Sequence, residues 1–101
     1  MKLFIDTSAI NTAKIALEID GKRFEKTSES KILKSQTVLP MIEELLLAHG
    51  LKLTDITAIT VETGPGSFTG LRVGATVANA LGHLLNIPVN GKKILVLPTY
   101  S

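Results

Sequence analysis

The chain of 101 residues contains no cysteine, and its only aromatic residues are three phenylalanines and one tyrosine. The missing thiols exclude disulfide bonds and any catalysis by a cysteine. Eleven basic and nine acidic residues give a net charge of +2, and the basic residues are scattered along the chain. Proteins that bind nucleic acid on their own concentrate basic charge on one face, so the sequence argues against independent nucleic-acid binding.

Histidine occurs only twice, as His49 and His83. The two lie on separate predicted helices, without the i, i+4 spacing of a helical metal site. Ser67 lacks the Gly-x-Ser-x-Gly pattern of a nucleophile elbow, because Phe68 and Thr69 follow it. We therefore expect no metal ligand and no catalytic residue in this chain.

A secreted or membrane-spanning protein is not expected either. The chain reaches Asp6 too early for the apolar core of a signal peptide, so we expect a cytoplasmic protein. The long apolar segment near the end of the domain contains Arg72, Asn79 and His83, which would be costly to place in lipid. We expect no contact with a membrane.

Apolar residues, in contrast, are abundant. They make up 45% of the chain, with a mean hydropathy of +0.31 and only 20% charged residues. At this length we expect one domain, which buries about two-thirds of the surface that its unfolded chain exposes. An apolar patch should therefore remain exposed, and such patches mark interfaces.

The hydrophobic pattern predicts an α/β domain with a mixed sheet and the element order β-β-β-α-β-α-β. Three antiparallel strands should come first, with a hairpin turn at Asp20-Gly21, and the later strands should extend the sheet in parallel through right-handed crossovers. The third strand should lie at an edge because it is polar. The predicted strands cover 3–5, 12–19, 22–28, 54–61 and one or two short segments within 87–97. The predicted helices cover 37–49 and 68–85, and residues 29–36 are expected to form a polar connection.

The stretch from Gly64 to Gly74 joins the fourth strand to the second helix and is the most informative part of the chain. Open α/β sheets bind ligands at such loops, where free backbone N–H groups point outward. The dinucleotide fingerprint fails because its sixth position is Thr69, and a phosphate loop fails because the stretch contains no lysine. A tight turn with Ser67 or Thr69 near the N-cap is the alternative, and the residues alone leave that choice open.

The second helix carries a small residue at every fourth position, namely Gly70, Gly74, Ala78 and Gly82. Because a glycine costs about 1 kcal/mol relative to alanine inside a helix, the stripe indicates close packing, either on the domain's own sheet or on a partner helix. We expect Gly74→Ala to gain helix propensity, and Gly74→Leu to damage folding or association by overpacking the contact. Apolar residues with helical spacing lie at positions 68, 71, 75, 78, 81 and 85.

Three segments of the chain resemble the TsaB family. They are Asp6-Thr7-Ser8 after the first strand, Ser35-Gln36 with Leu39-Pro40-Met41-Ile42 at the first helix, and the glycine-rich stretch 64–74. The resemblance covers roughly residues 1–91. It implies the actin-like ATPase fold with ribonuclease-H-like lobes, in which residues 1–101 would form a single amino-terminal lobe. Typical members are longer and have a second lobe, which is missing here, and the end of the chain departs from their pattern.

The resemblance implies a scaffold rather than an enzyme. TsaB is the non-catalytic partner of TsaD, which transfers the threonylcarbamoyl group to certain tRNAs, and it pairs with TsaD or with itself mainly through the two helices of this lobe. The tRNA would be reached only through the complex. No cofactor is expected, and the His-x-x-x-His metal motif of TsaD is missing from this sequence. The expected interface positions are Leu39, Ile42, Leu46, Gly70, Leu71, Gly74, Ala75, Ala78 and Gly82, with Arg72 as the best charged candidate.

Two other functions stay open. One is an ATP-binding or ATP-hydrolysing lobe, in which Asp6 would serve the magnesium and phosphate, although Asp6 also fits a simple Asx turn. The other is a self-associating module that has lost the tRNA-modification role. Weak candidates for nucleotide contacts are Asp6, Thr7, Ser8, Gly64, Gly66 and Ser67.

Overall fold

A computed structural model describes residues 1–9, 12–29 and 37–92. The strands are β1 (Lys2–Asp6), β2 (Thr12–Ile19), β3 (Lys22–Glu29) and β4 (Ala58–Val61), and the helices are α1 (Val38–Ala48) and α2 (Phe68–Leu85). The sheet has the order β3-β2-β1-β4. β2 pairs antiparallel with both β1 and β3, while β4 pairs parallel with β1. The structure confirms the predicted mixed sheet. It also confirms the predicted order of the first six strands and helices of the chain, β-β-β-α-β-α.

The hairpin between β2 and β3 follows from its turn residues and its alternating pattern. Asp20 and Gly21 both adopt positive φ, 51° and 80°, as a two-residue hairpin turn of the favoured type requires. In β2, Ile15 and Leu17 are fully buried whereas Lys14 is exposed. The polar strand β3 lies at the edge of the sheet, as predicted.

Both helices pack on the same face of the sheet and share one hydrophobic core with it. α1 contacts mainly β2, and α2 contacts mainly β4 and β1. Lys26 of β3 and Glu44 of α1 form an ion pair of 2.8 Å at the margin of this layer. The core side chains include Leu3, Ile5, Ile15, Leu17, Val38, Met41, Ile42, Leu45, Leu46, Ile59, Val61, Ala78 and Leu81.

The ends of the helices follow the capping residues in the sequence. α1 begins after Thr37, whose carbonyl accepts a hydrogen bond from the Met41 N–H at 3.0 Å, and the chain turns away at Gly50 with φ 65°. α2 begins after Ser67, whose hydroxyl accepts from the Gly70 N–H at 3.3 Å. α2 ends at Asn86, which adopts the left-handed conformation with φ 54°.

Two predicted strand boundaries need correction. Residues Leu53–Asp55 form a short 3₁₀ turn rather than the start of β4, because the Asp55 carboxylate accepts a hydrogen bond from the Lys52 N–H at 2.8 Å and bends the backbone there. Beyond α2, the described part of the chain has only isolated bridges at Val89, one parallel to Ile59 and one antiparallel to Lys92. The predicted strand segment within 93–97, the connection 30–36 and the resemblance at Ser35-Gln36 lie outside the described residues.

Candidate functional site

Two of the three segments that carry the resemblance, Asp6-Thr7-Ser8 and the glycine-rich loop, lie side by side. The Ser67 N–H donates a hydrogen bond to the Ser8 carbonyl at 2.7 Å. Thr7 is completely buried, and its hydroxyl donates to the Gly70 carbonyl in the first turn of α2 at 2.5 Å. The end of β1 is therefore joined to the start of α2 by two hydrogen bonds.

The Asp6 carboxylate is engaged locally. Its Oδ1 accepts hydrogen bonds from the backbone N–H and the hydroxyl of Ser8, at 3.0 and 2.6 Å. This geometry is the Asx turn that the sequence offered as the alternative to a magnesium site. Among the described residues, no three acidic, histidine or cysteine side chains are grouped so that they could hold a metal ion.

The glycines of the loop serve close packing. A Cβ at Gly66 would lie 2.7 Å from both the Cβ and the carbonyl oxygen of Ser8, so a side chain there would displace backbone. A Cβ at Gly74 would come closer than 3.0 Å to the Thr7 hydroxyl oxygen. The gain in helix propensity expected for Gly74→Ala is therefore opposed by a close contact, because Thr7 occupies the space that the methyl group needs.

The small-residue stripe of α2 faces the domain's own sheet and the segment after the helix. Gly82 has Val89 against it, with a Cγ atom 2.5 Å from where a Cβ would stand. Of the expected interface positions, Leu39 is 38% exposed. The other expected positions are buried within the domain: Ile42, Leu46, Gly70, Leu71, Gly74, Ala75, Ala78 and Gly82.

Apart from Arg72, the residues on the outer face of α2 were not among the interface positions expected from the sequence. Phe68, which shares the helical spacing of the buried residues, is 55% exposed, and Leu84 near the other end is 73% exposed. The Arg72 guanidinium lies 5.6 Å from the centre of the Phe68 ring. A shallow groove runs along this face, lined by Phe68, Thr69, Arg72, Val73, Thr76 and Val77. The sequence does contain a pattern that could have identified this face. Every fourth residue from position 68 to 84 forms a second row that contains no glycine: Phe68, Arg72, Thr76, Ala80 and Leu84.

The opposite face of the sheet has a different chemical character. The Arg23 guanidinium lies 4.4 Å from the centre of the Phe4 ring and so covers the aromatic side chain. Lys14 and Glu25 form an ion pair of 3.0 Å. The hydrogen bond and the charge of Lys14, with a smaller contribution from Arg23, hold the pKa of Glu25 below its ordinary value. This face is covered by paired charges, whereas the outer face of α2 exposes the large apolar side chains of Phe68 and Leu84.

No helix in the described part of the chain is both long and apolar enough to cross a bilayer.

Comparison with protein families gives one match. The family described as TsaD, tRNA N6-adenosine threonylcarbamoyltransferase, matches residues 28–93. This range includes α1, β4, the glycine-rich loop and α2.

Individual relatives carry a related name. The tRNA threonylcarbamoyladenosine biosynthesis protein TsaB of Haemophilus influenzae is 37% identical over 87 residues, which are 86% of this chain and 36% of that protein. TsaB of Escherichia coli is 37% identical over 97 residues, 93% of this chain and 40% of that protein. The chain thus spans about two-fifths of the length of these relatives.

A solved structure, YeaZ from Pseudomonas aeruginosa, superimposes with a TM-score of 0.82 and 34% sequence identity. The superposition covers 87% of this chain and 41% of that one. The actin-like, ribonuclease-H-like fold class expected from the sequence is thereby confirmed.

Proposed function

We propose a role in the synthesis of tRNA threonylcarbamoyladenosine, because this chain belongs to the family of TsaD and TsaB proteins, and three curated relatives that match more than four-fifths of it are TsaB proteins. In this proposal the chain is a non-catalytic scaffold. It pairs with a TsaD-type subunit, or with a second copy of itself, through the outer surface of its two helices. The tRNA is reached only through the complex that forms.

One observation carries the scaffold role. The large hydrophobic side chains that are exposed in the described residues all lie on the two helices. An exposed leucine or phenylalanine stabilises an interface by about 25 cal/mol for each Å² of apolar surface that it buries. The residues are Leu39 and Leu47 on α1, 38% and 79% exposed, and Phe68 and Leu84 on α2, 55% and 73% exposed.

The outer face of α2 has the shape that a partner helix needs. Between Phe68 at one end and Leu84 at the other lie the smaller side chains of Thr76 and Ala80, all on one row with a spacing of four residues. Small side chains in the middle let a second helix approach, and the larger ones at the ends fill the space where the two helices diverge. Arg72 lies on the same row and supplies the charge expected at this surface.

The proposed interface keeps Leu39 and Arg72 from the sequence-based expectation and otherwise uses exposed neighbours of the named residues on the same helices. The buried stripe holds α2 on its sheet, and that packing presents the outer row to solvent. A specific interface on this surface needs about 1,000 Å² in total, so both helices must contribute.

A binding titration against a TsaD-type subunit tests the proposal. Thr76→Asp places a carboxylate in the middle of the outer row and should weaken binding at least about tenfold, which is about 1.4 kcal/mol. Thr54→Asp is the matched control, since Thr54 is also an exposed threonine but lies in the 3₁₀ turn away from both helices. It should bind like the wild type, and both variants should melt within a few degrees of it.

The proposal would be overturned by a wild-type chain that stays monomeric at concentrations of about 100 µM and also fails to bind the TsaD-type subunit. The tRNA role has a separate readout. In bacterial cells depleted of their own TsaB, the chain should restore threonylcarbamoyladenosine in hydrolysed tRNA, as measured by mass spectrometry, and Thr76→Asp should not.

A further inference from the structure

The edge of the sheet at β4 is closed by the segment that follows α2. Ile59 donates its N–H to the Pro88 carbonyl at 3.0 Å, and its carbonyl accepts from the Asn90 N–H at 2.8 Å. These are the two backbone bonds that a neighbouring parallel strand would make. The pairing of Ile59 is therefore complete without a regular fifth strand in the described part of the chain.

Further along this edge, the backbone N–H and carbonyl of Val61 are hydrogen-bonded by a side chain. The Val61 N–H donates to Oδ1 of Asn90 at 2.8 Å, and Nδ2 of Asn90 donates back to the Val61 carbonyl at 3.1 Å. An asparagine side chain carries the same amide group as the backbone, with one acceptor oxygen and N–H donors. At Val61, the Asn90 side chain takes the place of a peptide unit in an adjacent strand.

The local backbone explains how Asn90 reaches Val61. Asn90 and Gly91 have φ of 51° and 78°, and Val89 and Lys92 exchange two backbone hydrogen bonds of 2.8 and 3.1 Å across them. This is the two-residue hairpin turn for which Asn-Gly is the favoured pair. Val89 is 3% exposed and packs against Gly82, so the turn is anchored to α2.

We propose that the Asn90 side chain caps the edge of β4 at Val61 and so blocks pairing there with a strand from another molecule. An unpaired strand edge offers N–H and C=O groups to any extended chain, and proteins protect such edges by charge, shape or covering segments. The other edge of the sheet, β3, is protected by its charged residues, whereas β4 is short and apolar. At β4 the protection comes from the Asn90 amide and the turn that holds it. This role is independent of the helix surface through which the chain pairs with its partner.

Asn90→Gly tests the proposal without disturbing the turn, because glycine adopts positive φ freely and removes only the amide. The matched control is Asn86→Gly, since Asn86 has nearly the same φ, 54°, but caps α2. Both variants are made with Thr76→Asp, so that association through the outer face of α2 does not obscure pairing at the sheet edge. This background also keeps the test separate from the proposed function.

Two readouts are needed. Hydrogen exchange of the Val61 amide should accelerate roughly fivefold or more in Asn90→Gly, as loss of one neutral hydrogen bond implies, while the Ile59 amide keeps its partner and changes less. Sedimentation of concentrated protein should show larger species for Asn90→Gly and none for Asn86→Gly.

Asn90→Asp refines the result, since it keeps the acceptor for the Val61 N–H but places a carboxylate oxygen against the Val61 carbonyl. In this variant the hydrogen exchange of the Val61 amide should stay slow, while the Val61 carbonyl loses its hydrogen-bond donor. The proposal is overturned if Asn90→Gly leaves Val61 exchange unchanged. It is also overturned if Val61 exchange rises but no new association appears, since the edge would then need no protection.

Discussion

The two faces of α2 are built from different residues and make different contacts. The inner face consists of glycine, alanine and leucine, and meets Thr7, Val61 and Val89 at short distances. The outer face carries Phe68 and Leu84, which are mostly exposed. Every small residue on the inner face has a neighbour inside the domain, whereas the apolar side chains on the outer face have solvent around them. The inner face therefore stabilises the fold, and the outer face is the surface that we propose for association.

The largest difference between the faces should appear when one charge is placed on each. Leu71 is fully buried, and Leu71→Asp would bury a carboxylate among apolar side chains, which should cost more than about 4 kcal/mol and unfold the domain. Arg72→Asp, at the next residue, lies on the exposed face and should stay folded. Circular dichroism during thermal melting measures both. A Leu71→Asp variant that stays folded would contradict the conclusion that the inner face of α2 stabilises the fold.

Two leucines of α2 allow the same comparison without charge. Leu81 is 5% exposed and Leu84 is 73% exposed. Leu81→Ala should lower the free energy of unfolding by about 2–5 kcal/mol, because it leaves a cavity in the core. Leu84→Ala should change it by less than about 0.5 kcal/mol in dilute protein. Urea titrations give both values, and equal losses at the two positions would contradict the account.

The contact between Gly74 and Thr7 predicts a smaller loss. Gly74→Ala should cost about 1–3 kcal/mol, despite the gain in helix propensity, because the added methyl group meets the Thr7 hydroxyl. In the double variant with Thr7→Ala the clash disappears, so the combined loss should be less than the sum of the two single losses. Thr76→Ala on the outer face is the control and should be neutral or slightly stabilising. A stabilised Gly74→Ala would show that the packing there is loose.

The smallest effect is expected on the far side of the sheet. Because Lys14 and Arg23 hold the pKa of Glu25 below its ordinary value, folding favours the ionised carboxylate. The stabilisation is present above the ordinary glutamate pKa and is lost as the pH falls through the lowered pKa of the folded state. Glu25→Gln should therefore flatten the acid side of the stability–pH curve slightly, because the pair is exposed to solvent. Melting temperatures measured between pH 3 and 7 should test this, and an unchanged acid limb would rule it out.

Local signals in the sequence were enough to predict most of the fold. Asp20-Gly21 specified the hairpin, Ser67 specified the start of α2, and the alternation in β2 placed Ala13, Ile15 and Leu17 in the core, although Ala16 between them is buried too. These features depend on neighbours close in the chain. The 3₁₀ turn at Leu53–Asp55 was missed because it depends on one side-chain hydrogen bond that the hydrophobic pattern does not report.

The site was less predictable because its contacts join residues far apart in the chain. The stripe of small residues in α2 indicated a close approach, but small residues do not identify the neighbour. Only the fold brings Thr7 to Gly74 and Val89 to Gly82. The exposure of Phe68 was missed for a related reason. Its helical spacing places it at the margin of the apolar face of α2, but the spacing does not indicate whether the sheet extends far enough to cover it.

The central claim, that the chain binds its partner through the helix layer, is tested most directly by mapping protection in the complex. Hydrogen–deuterium exchange of the chain should be compared with and without a TsaD-type subunit. The account predicts new protection in peptides covering α1 and α2, and none in the strand residues around Phe4, Arg23 and Glu25, whose side chains lie on the opposite face of the sheet. New protection confined to that opposite face, with the two helices unchanged, would contradict it.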